Sequence, residues 1–320
     1  MSGWRSLVPS PLERDAGEVQ VVKASTTESK TGMSSDAPNQ AQIDYWNAGA
    51  GETWAALNDR LDRQLAPLGD AAMEALALQP GDRVLDVGCG CGHSSLALAR
   101  AVGGTGQVTG IDVSRPMLDV ARRRVPEGME SQLEFLEADA QSCSFETEAF
   151  DAVYSRFGVM FFADPAAAFR NLTSGLALRG RLSFVCWRSL AENAWMAVPR
   201  NAGLQHLPPA APGDPSAPGP FAFADARRIE AILVQGGYTN ISISPFDTDI
   251  VLGRDLDEAV GMALKVGPLG AMLRETPEQL GTVSRVVREA LTPYVRRDGV
   301  LLPAATWIVT ANRASAWEPG

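Results

Sequence analysis

Histidine and cysteine, the side chains that most often bind transition metals, are scarce in this sequence. Its 320 residues include two histidines and four cysteines. The cysteines form no C-x-x-C pair and no cysteine-histidine set of the kind that binds zinc. They also do not form the framework of a secreted, disulfide-bonded protein. We therefore expect no metal site and a reducing, cytoplasmic compartment.

Long apolar runs and a positive charge balance are also missing. No apolar stretch approaches the roughly 20 residues that a membrane-spanning helix needs. The formal net charge is -10, so a nucleic acid would be repelled unless the surface carried a basic stripe. The basic runs are short, at 122–124 and 296–297, and we expect the first to be a solvent-facing helix surface. The composition predicts neither a membrane span nor a nucleic-acid partner.

Residues 1–38 lack hydrophobic periodicity and are rich in small, polar and charged residues and proline. A segment of this kind cannot bury enough apolar surface to fold. It also lacks the continuous apolar region of a signal peptide and carries acidic residues that a transit peptide avoids. We expect a disordered extension at 1–38 and one folded domain at 39–320.

A glycine-rich turn follows the first clear strand. Residues 83–92 read R-V-L-D-V-G-C-G-C-G, an apolar strand that runs into Gly88, Gly90 and Gly92, and helical spacing begins at His93. Glycines let the backbone turn sharply and approach a ligand closely. The N–H groups at the start of the helix face that turn. This arrangement indicates a binding site for a nucleotide-type cofactor.

The spacing of the glycines separates two cofactor classes. A dinucleotide motif, G-x-G-x-x-G, would need glycine where the chain has His93. Asp86, two residues before the first glycine, would repel a pyrophosphate and attract a cationic amino-acid group. The pattern D-x-G-x-G-x-G instead resembles the first motif of class I S-adenosylmethionine (SAM) dependent methyltransferases. A chance glycine-rich turn in another α/β protein is the alternative.

Four further strands follow in the order and spacing of that family. The resemblance covers about residues 80–190, and it is strongest to the small-molecule branch that includes quinone-biosynthesis-type methyltransferases. The A-L-R-G sequence at 177–180 replaces the family's usual K-P-G-G turn. The strands are expected at 106–112, 133–140, 150–155 and 181–187.

The resemblance implies a set of cofactor contacts. Asp112, at the end of the second strand, would accept both ribose hydroxyls, and Asp139 would accept the adenine amino group. A turn-forming role is the alternative for Asp139. Trp46 and Trp54 are interpreted either as core anchors or as an aromatic cover over SAM. The expected SAM contacts are Trp46, Trp54, Asp86, Gly88, Gly90, Gly92, Asp112, Val113, Met117, Asp139, Ala140 and Ser155.

An apolar acceptor pocket is expected beside the methyl donor. The segment 157–162 is unusually apolar for a loop, and tryptophans follow on the fifth strand and beyond it. His206 is the candidate general base, with an ordinary surface histidine as the alternative. His93 is expected on the cofactor side or in a structural role. The expected acceptor contacts are Arg156, Phe157, Met160, Phe161, Trp187 and Trp195.

Helical and strand periodicity also predicts elements outside the core. At the N-terminus we expect a short helix at 41–46, a turn at 49–51 and a longer amphipathic helix. The proline-rich segment 188–223 is expected to be a lid. The remaining elements are a helix at 224–235, strands at 238–246, 249–252 and 304–311, and two helices, 256–266 and 277–295, within a cap at 254–297.

The predicted fold is an α/β, Rossmann-like sheet of seven strands with helices on both faces, N-terminal helices and a C-terminal helical cap. The predicted function is in-line transfer of a methyl group from SAM to a small, partly apolar acceptor. A non-catalytic SAM sensor or scaffold and an aminopropyl transferase are the alternatives. The sequence is compatible with methylation of an O, N, S or C atom of the acceptor and with any oligomeric state.

Overall fold

The computed structural model describes residues 39–209 and 214–315. The extension expected at 1–38 lies outside these residues. Three N-terminal helices come first: α1 (Gln40–Asn47), α2 (Gly49–Ala56) and α3 (Asn58–Leu76). The predicted turn at 49–51 is wrong, because α2 begins at Gly49 and only the extended Ala48 separates it from α1. The amphipathic α3 packs its apolar face, which includes Leu61, Leu65 and Leu68, into the core.

The predicted Rossmann-like α/β sheet is confirmed. Its strand order is β3-β2-β1-β4-β5-β8-β6, and the first five strands are parallel, while β8 runs antiparallel to both β5 and β6. The two-residue β7 pairs with β8. The strands are β1 (Arg83–Val87), β2 (Gln107–Asp112), β3 (Leu133–Glu137), β4 (Phe150–Arg156), β5 (Leu176–Trp187), β6 (Tyr238–Gly253), β7 (Val295–Arg296) and β8 (Gly299–Arg313).

Further helices connect and cover the strands. Asp164 caps the N-terminus of α6 by accepting a hydrogen bond from the Ala167 N–H, and Pro165 occupies the first turn. No helix in the described residues is long and apolar enough to cross a membrane. These helices are α4 (His93–Val102), α5 (Arg115–Arg123), α6 (Pro165–Gly175), α7 (Ala194–Leu204), α8 (Ala226–Gln235), α9 (Leu256–Ala263), α10 (Gly267–Glu275) and α11 (Leu280–Leu291).

The C-terminal third differs from the sequence prediction in three places. Residues 238–253 form one strand, not two, because the similarly long β8 pairs with them through the polar segment 247–249. The cap holds three helices: α10 was missed, and the helix predicted at 277–295 is confined to α11 and short 3-10 turns. The segment 188–223 contains α7, so it is more helical than expected. Its movement as a lid stays a prediction.

The cap is inserted within a hairpin. Gly253, the last residue of β6, pairs with Val300 near the start of β8. The helices α9, α10 and α11 therefore leave and return to the sheet at adjacent positions. Within the cap, α11 buries Val283, Val287 and Leu291, which share one helix face.

Candidate active site at the carboxyl edge of the sheet

A cavity of about 520 Å³ lies at the carboxyl ends of β1, β2, β4 and β5. Open α/β sheets bind their ligands at this edge. The N-terminal helices form one wall of the cavity, and α7 and α10 form another. One cavity therefore receives residues from the sheet, from α1 to α3 and from the cap.

The glycine turn after β1 gives the backbone a close approach to this cavity. Gly88 and Gly90 line it and have φ angles of +69° and +54°. A Cβ on Gly88 would lie 2.7 Å from the Gly158 Cα, so these two glycines let the turns after β1 and β4 touch. A Cβ on Gly90 would have the Met117 sulfur as its nearest neighbour, 3.8 Å away. The Cα of Gly90 therefore faces open space.

Asp112 lies at the end of β2 and lines the cavity while being only 8% exposed. Its Oδ2 accepts a hydrogen bond from the Gly90 N–H (2.8 Å), and its Oδ1 accepts one from the Ser114 N–H (2.8 Å). Burial raises the pKa of this carboxyl, and the backbone donors oppose that rise. Each oxygen keeps one lone pair for a ligand hydroxyl. Val113 and Met117 line the same part of the cavity.

Asp86 is fully buried and does not line the cavity. Its Oδ2 accepts hydrogen bonds from the hydroxyls of Ser94 (2.7 Å) and Ser95 (2.6 Å). Burial raises its pKa to about 6, although both hydroxyls act in the opposite direction. Ser94, which donates to Asp86, lines the cavity. The Asp86 Oδ1 is buried without a partner among the described residues, and the expected contact of Asp86 with the cofactor stays a prediction.

Two other expected cofactor residues support the site from behind its surface. Gly92 packs against α5 and β3, where an added Cβ would lie 2.9 Å from the Ala121 Cβ. The Ser155 hydroxyl donates to the Val87 carbonyl (2.8 Å) and accepts from the Gly158 N–H (3.2 Å). Neither residue lines the cavity, and each supports one of the two turns. The expected contacts of Gly92 and Ser155 with the cofactor stay predictions.

The Asp139 carboxylate forms hydrogen bonds within the turn that follows it. It accepts hydrogen bonds from the Gln141 N–H (3.0 Å), the Ser142 hydroxyl (3.2 Å) and the Asn39 side-chain amide (3.3 Å). This is the turn-forming alternative, and the side chain does not line the cavity. Its neighbour Ala140 does line it, as expected.

The tryptophans of the N-terminal helices lie at the cavity wall. Trp46 packs edge-to-face against Trp54 (5.9 Å between ring centroids) and against Phe161 (5.1 Å). Trp46, Trp54 and Phe161 all line the cavity. The two interpretations are compatible, because the rings anchor the helices to each other and face the ligand space.

Asn47 and Ser114 attach these helices to the sheet edge. The Asn47 side chain donates to the Val113 carbonyl (2.7 Å) and accepts from the Arg115 N–H (3.0 Å). The Ser114 hydroxyl donates to the Trp46 carbonyl (2.8 Å). Sequence reasoning missed both residues. The polar Asn47 at the end of a helix was the available signal, since asparagine side chains readily bond to free backbone groups.

A buried ion network joins α3 to the ends of β4 and α5. Asp62, 6% exposed, pairs with Arg156 (2.8 Å) and with Arg124 (2.8 Å). Arg124 was expected in solvent and is instead part of this network. His93 lies 3.6 Å from Asp62, and its pKa is lowered by burial, with Arg156 and Arg124 acting in the same direction. Asp62 and Arg156 both line the cavity.

The remaining expected acceptor residues form an aromatic wall. Phe157 stacks on Trp187 with 4.1 Å between ring centroids, and Trp187 lies 5.2 Å from Trp195. Phe157 adopts a φ of +61°, an uncommon conformation for a bulky residue. Met160 lines the same space.

His206 follows α7 and is half-buried, but it does not line the cavity. This position does not favour the expected role of His206 as the general base, which stays a prediction. Because His206 lies in the proline-rich segment 188–223, the sequence predicted that it would lie at the mouth of the pocket. The unforeseen α7 instead directs Trp195, Met196 and Arg200 toward the cavity and leaves His206 past its end.

The strands and turns that build the cofactor side of the cavity match a known family. Residues 84–180 match the family model described as a methyltransferase domain. The expected resemblance to class I SAM-dependent methyltransferases is confirmed by this match.

Two curated relatives illustrate the similarity in sequence. The chain is 36% identical over 104 residues to the demethylmenaquinone methyltransferase of Bacillus pumilus, which covers 32% of this chain and 44% of that protein. It is 32% identical over 127 residues to the aklanonic acid methyltransferase DauC of Streptomyces sp. strain C5, covering 39% and 58%. The match thus spans about half the length of these relatives.

A solved structure illustrates the similarity in fold. It is phosphoethanolamine N-methyltransferase 2 of Haemonchus contortus in complex with S-adenosyl-L-methionine. It superposes with a TM-score of 0.55 at 16% identity and covers 88% of this chain and 60% of that one. This likeness concerns the fold alone.

Proposed function

We propose that this protein transfers a methyl group from SAM to a small, partly apolar acceptor by in-line displacement. One observation carries the proposal: the glycine turn with Asp112 and the aromatic wall of Phe157 and Trp187 line the same cavity. A donor and an acceptor bound there would share one space. A sensor or scaffold would have no use for the second half of that space. The four cysteines are free thiols, which fits the proposed cytoplasmic location.

The residues at the glycine turn fit the proposed cofactor. Asp112 offers two carboxylate oxygens to the ribose hydroxyls, already oriented by backbone N–H groups. The open face of Gly90 would accept a ligand without a side chain in the way. Val113, Met117 and Ala140 offer apolar surface to a flat base.

Two residues outside the expected set suit the adenine amino group better than the Asp139 side chain does. Asn39 and Gln42 line the cavity, and their oxygens Oδ1 and Oε1 are buried without a partner among the described residues. Asn39 also donates to Asp139, which places it beside Ala140. An unsatisfied buried acceptor is costly, and a bound N–H donor would remove that cost. We assign the adenine contact to Asn39 and Gln42.

Catalysis here depends on positioning. SAM supplies an already activated methyl group, so the protein mainly aligns nucleophile, carbon and sulfur and excludes water. Among the described residues that line the cavity, none is histidine, and the carboxylates are Asp62 and Asp112. Burial raises the pKa of Cys91 to about 12 and that of Cys89 well above its usual range, so both stay thiols. An acceptor whose nucleophile ionises readily suits this site.

Isothermal titration tests the proposal directly. S-adenosylhomocysteine and SAM should bind with one site per chain, while NADH should not bind. The Asp119→Ala variant, changed on the exposed face of α5, is the matched control and should bind like wild type. Binding of NADH without binding of S-adenosylhomocysteine would show that the assignment is wrong.

A further inference from the structure

The charges that line the cavity are unlike those of the whole chain. The chain has a net charge of -10, yet the described side chains that line the cavity include four cations and two carboxylates. Both carboxylates are engaged, since Asp62 pairs with arginines and Asp112 accepts from backbone N–H groups. The helices α7 and α10 therefore bring positive charge to the cavity without bringing a carboxylate to balance it. The four cations are Arg156, Arg200, Lys265 and Arg274.

The start of α10 adds to this positive region. Val266, Gly267 and Pro268 line the cavity, and no side chain of the described residues caps the helix. Pro268 has no N–H, and the Val266 N–H donates to the Met262 carbonyl (3.0 Å), so Gly267 is the one of these three residues with a free N–H. Free N–H groups in the first turn of a helix carry partial positive charge and bind anions. Lys265 lies immediately before this turn, and Arg200 comes from α7.

An independent observation at the same place concerns a tryptophan. Trp195 is 6% exposed, and its Nε1–H is buried without a hydrogen-bond partner within 39–209 and 214–315. Indole nitrogen can only donate, so the group lacks an acceptor. Trp195 and Met196 line a second, small cavity together with Val266 and Pro268, and a Cβ on Gly267 would lie 3.6 Å from the Met196 Cγ. Trp195, which carries the unpaired donor, thus lies near the start of α10.

We propose that the α7–α10 wall is an anion subsite that binds a carboxylate group of the acceptor. Trp195 Nε1–H and the first turn of α10 donate to the carboxylate oxygens, and Arg200 and Lys265 balance the charge. The apolar body of the acceptor then lies along Phe157 and Trp187. This inference rests on the proposed function and names its acceptor class: a planar or apolar molecule with a carboxylate remote from the methylated atom.

Paired aromatic acids and amides test the subsite without knowledge of the natural acceptor. The probes are benzoate and 2-naphthoate with their neutral carboxamides, titrated against the full chain by isothermal calorimetry. Wild type should bind each acid about tenfold or more tighter than its amide, as for hydrogen bonds to a charged group. Equal binding of acids and amides, or no acid binding at millimolar concentration, would overturn the proposal.

Single variants assign the preference to residues. Arg200→Met and Lys265→Met should each lower acid binding about three- to tenfold and leave amide binding unchanged. Trp195→Phe keeps an aromatic side chain but removes the indole N–H, and it should lower acid binding about tenfold. Arg227→Met removes an exposed charge on α8 and should change nothing. A loss shared equally by acids and amides would contradict the assignment.

The same variants separate this inference from the proposed function. S-adenosylhomocysteine affinity should stay at the wild-type value in Arg200→Met and Lys265→Met. If it falls in parallel while the acid preference stays, these cations bind the carboxylate of the cofactor and the subsite proposal fails. If wild type binds the acids but not S-adenosylhomocysteine, the proposed function fails and the subsite stands.

Discussion

The cavity has two halves that are built in different ways. The half around the glycine turn is formed by contiguous strand ends and held by backbone hydrogen bonds, as in the contact of Gly90 with Asp112. The half around Trp195 is assembled from α7, α10 and the loop after β4, which are far apart in the chain. The first half depends on local geometry and the second on tertiary packing. Substitutions should therefore affect the two halves independently.

The largest expected effect comes from Asp112→Ala. The variant removes two acceptors for ribose hydroxyls, each worth about 1.5–3 kcal/mol as a charged hydrogen bond. S-adenosylhomocysteine affinity should fall on the order of 10²- to 10⁴-fold in calorimetry, while 2-naphthoate affinity should remain. Parallel loss of both ligands would mean that the two halves are not separable.

Asp86 gives a pH-dependent test of the support beneath the glycine turn. Its folded pKa is raised from 3.8 to about 6, so this group favours folding below pH 4, and that contribution is lost as pH rises through 6. Wild type should lose about 2–3 kcal/mol of unfolding free energy over this range relative to Asp86→Asn. Urea unfolding at pH 4 and pH 7 measures it. If the free energy of unfolding changed equally between pH 4 and pH 7 in wild type and in Asp86→Asn, the raised pKa of Asp86 would be contradicted.

Trp187→Leu tests the other half. It removes the ring that stacks on Phe157, an arrangement worth about 1 kcal/mol beyond its buried area. Binding of 2-naphthoate should weaken about tenfold, with S-adenosylhomocysteine binding unchanged. Trp307→Leu is the matched control, because Trp307 bonds to the Ala224 carbonyl and does not line the cavity. A loss of S-adenosylhomocysteine affinity in Trp187→Leu would show that the two halves of the cavity do not act independently.

The smallest effect is expected from His206→Ala. This side chain lies past the end of α7 and does not line the cavity. Methyl-transfer rate and S-adenosylhomocysteine affinity should both stay within about a factor of two of wild type. A rate loss on the order of 10² or more would restore the general-base role.

The two halves also differ in what the sequence can predict. The turn at Gly88 and Gly90 and the position of Asp112 follow from local patterns, because a strand, its glycines and the next strand end determine the geometry together. The roles of Asp62 and Arg124 do not, since their ion pair joins residues 62 positions apart. A charged residue on a helix is usually solvated, and only the packing of α3 beside α5 buries this pair.

Asp139 and Asn39 show the same limit at the cofactor. An acid at a strand end is compatible with ligand binding and with turn formation, and the sequence pattern is identical for both. The choice depends on Gln141 and Ser142, whose donors engage the carboxylate, and on α1, which brings Asn39 to the cavity. Likewise, α10 was missed because its short G-P-L-G segment has weak helix propensity and is stabilised by packing in the cap.

The hairpin that carries the cap has a consequence for how this architecture can diversify. Since Gly253 and Val300 are paired, the segment between them begins and ends at neighbouring points of a long antiparallel ladder. Loop-closure cost grows slowly with length, so insertions, deletions or replacement of this segment need not shift the sheet register. The glycine turn after β1, which lies several strands away from this hairpin in the sheet, would keep its geometry. The cap is a natural place to graft a different acceptor specificity onto an unchanged cofactor site.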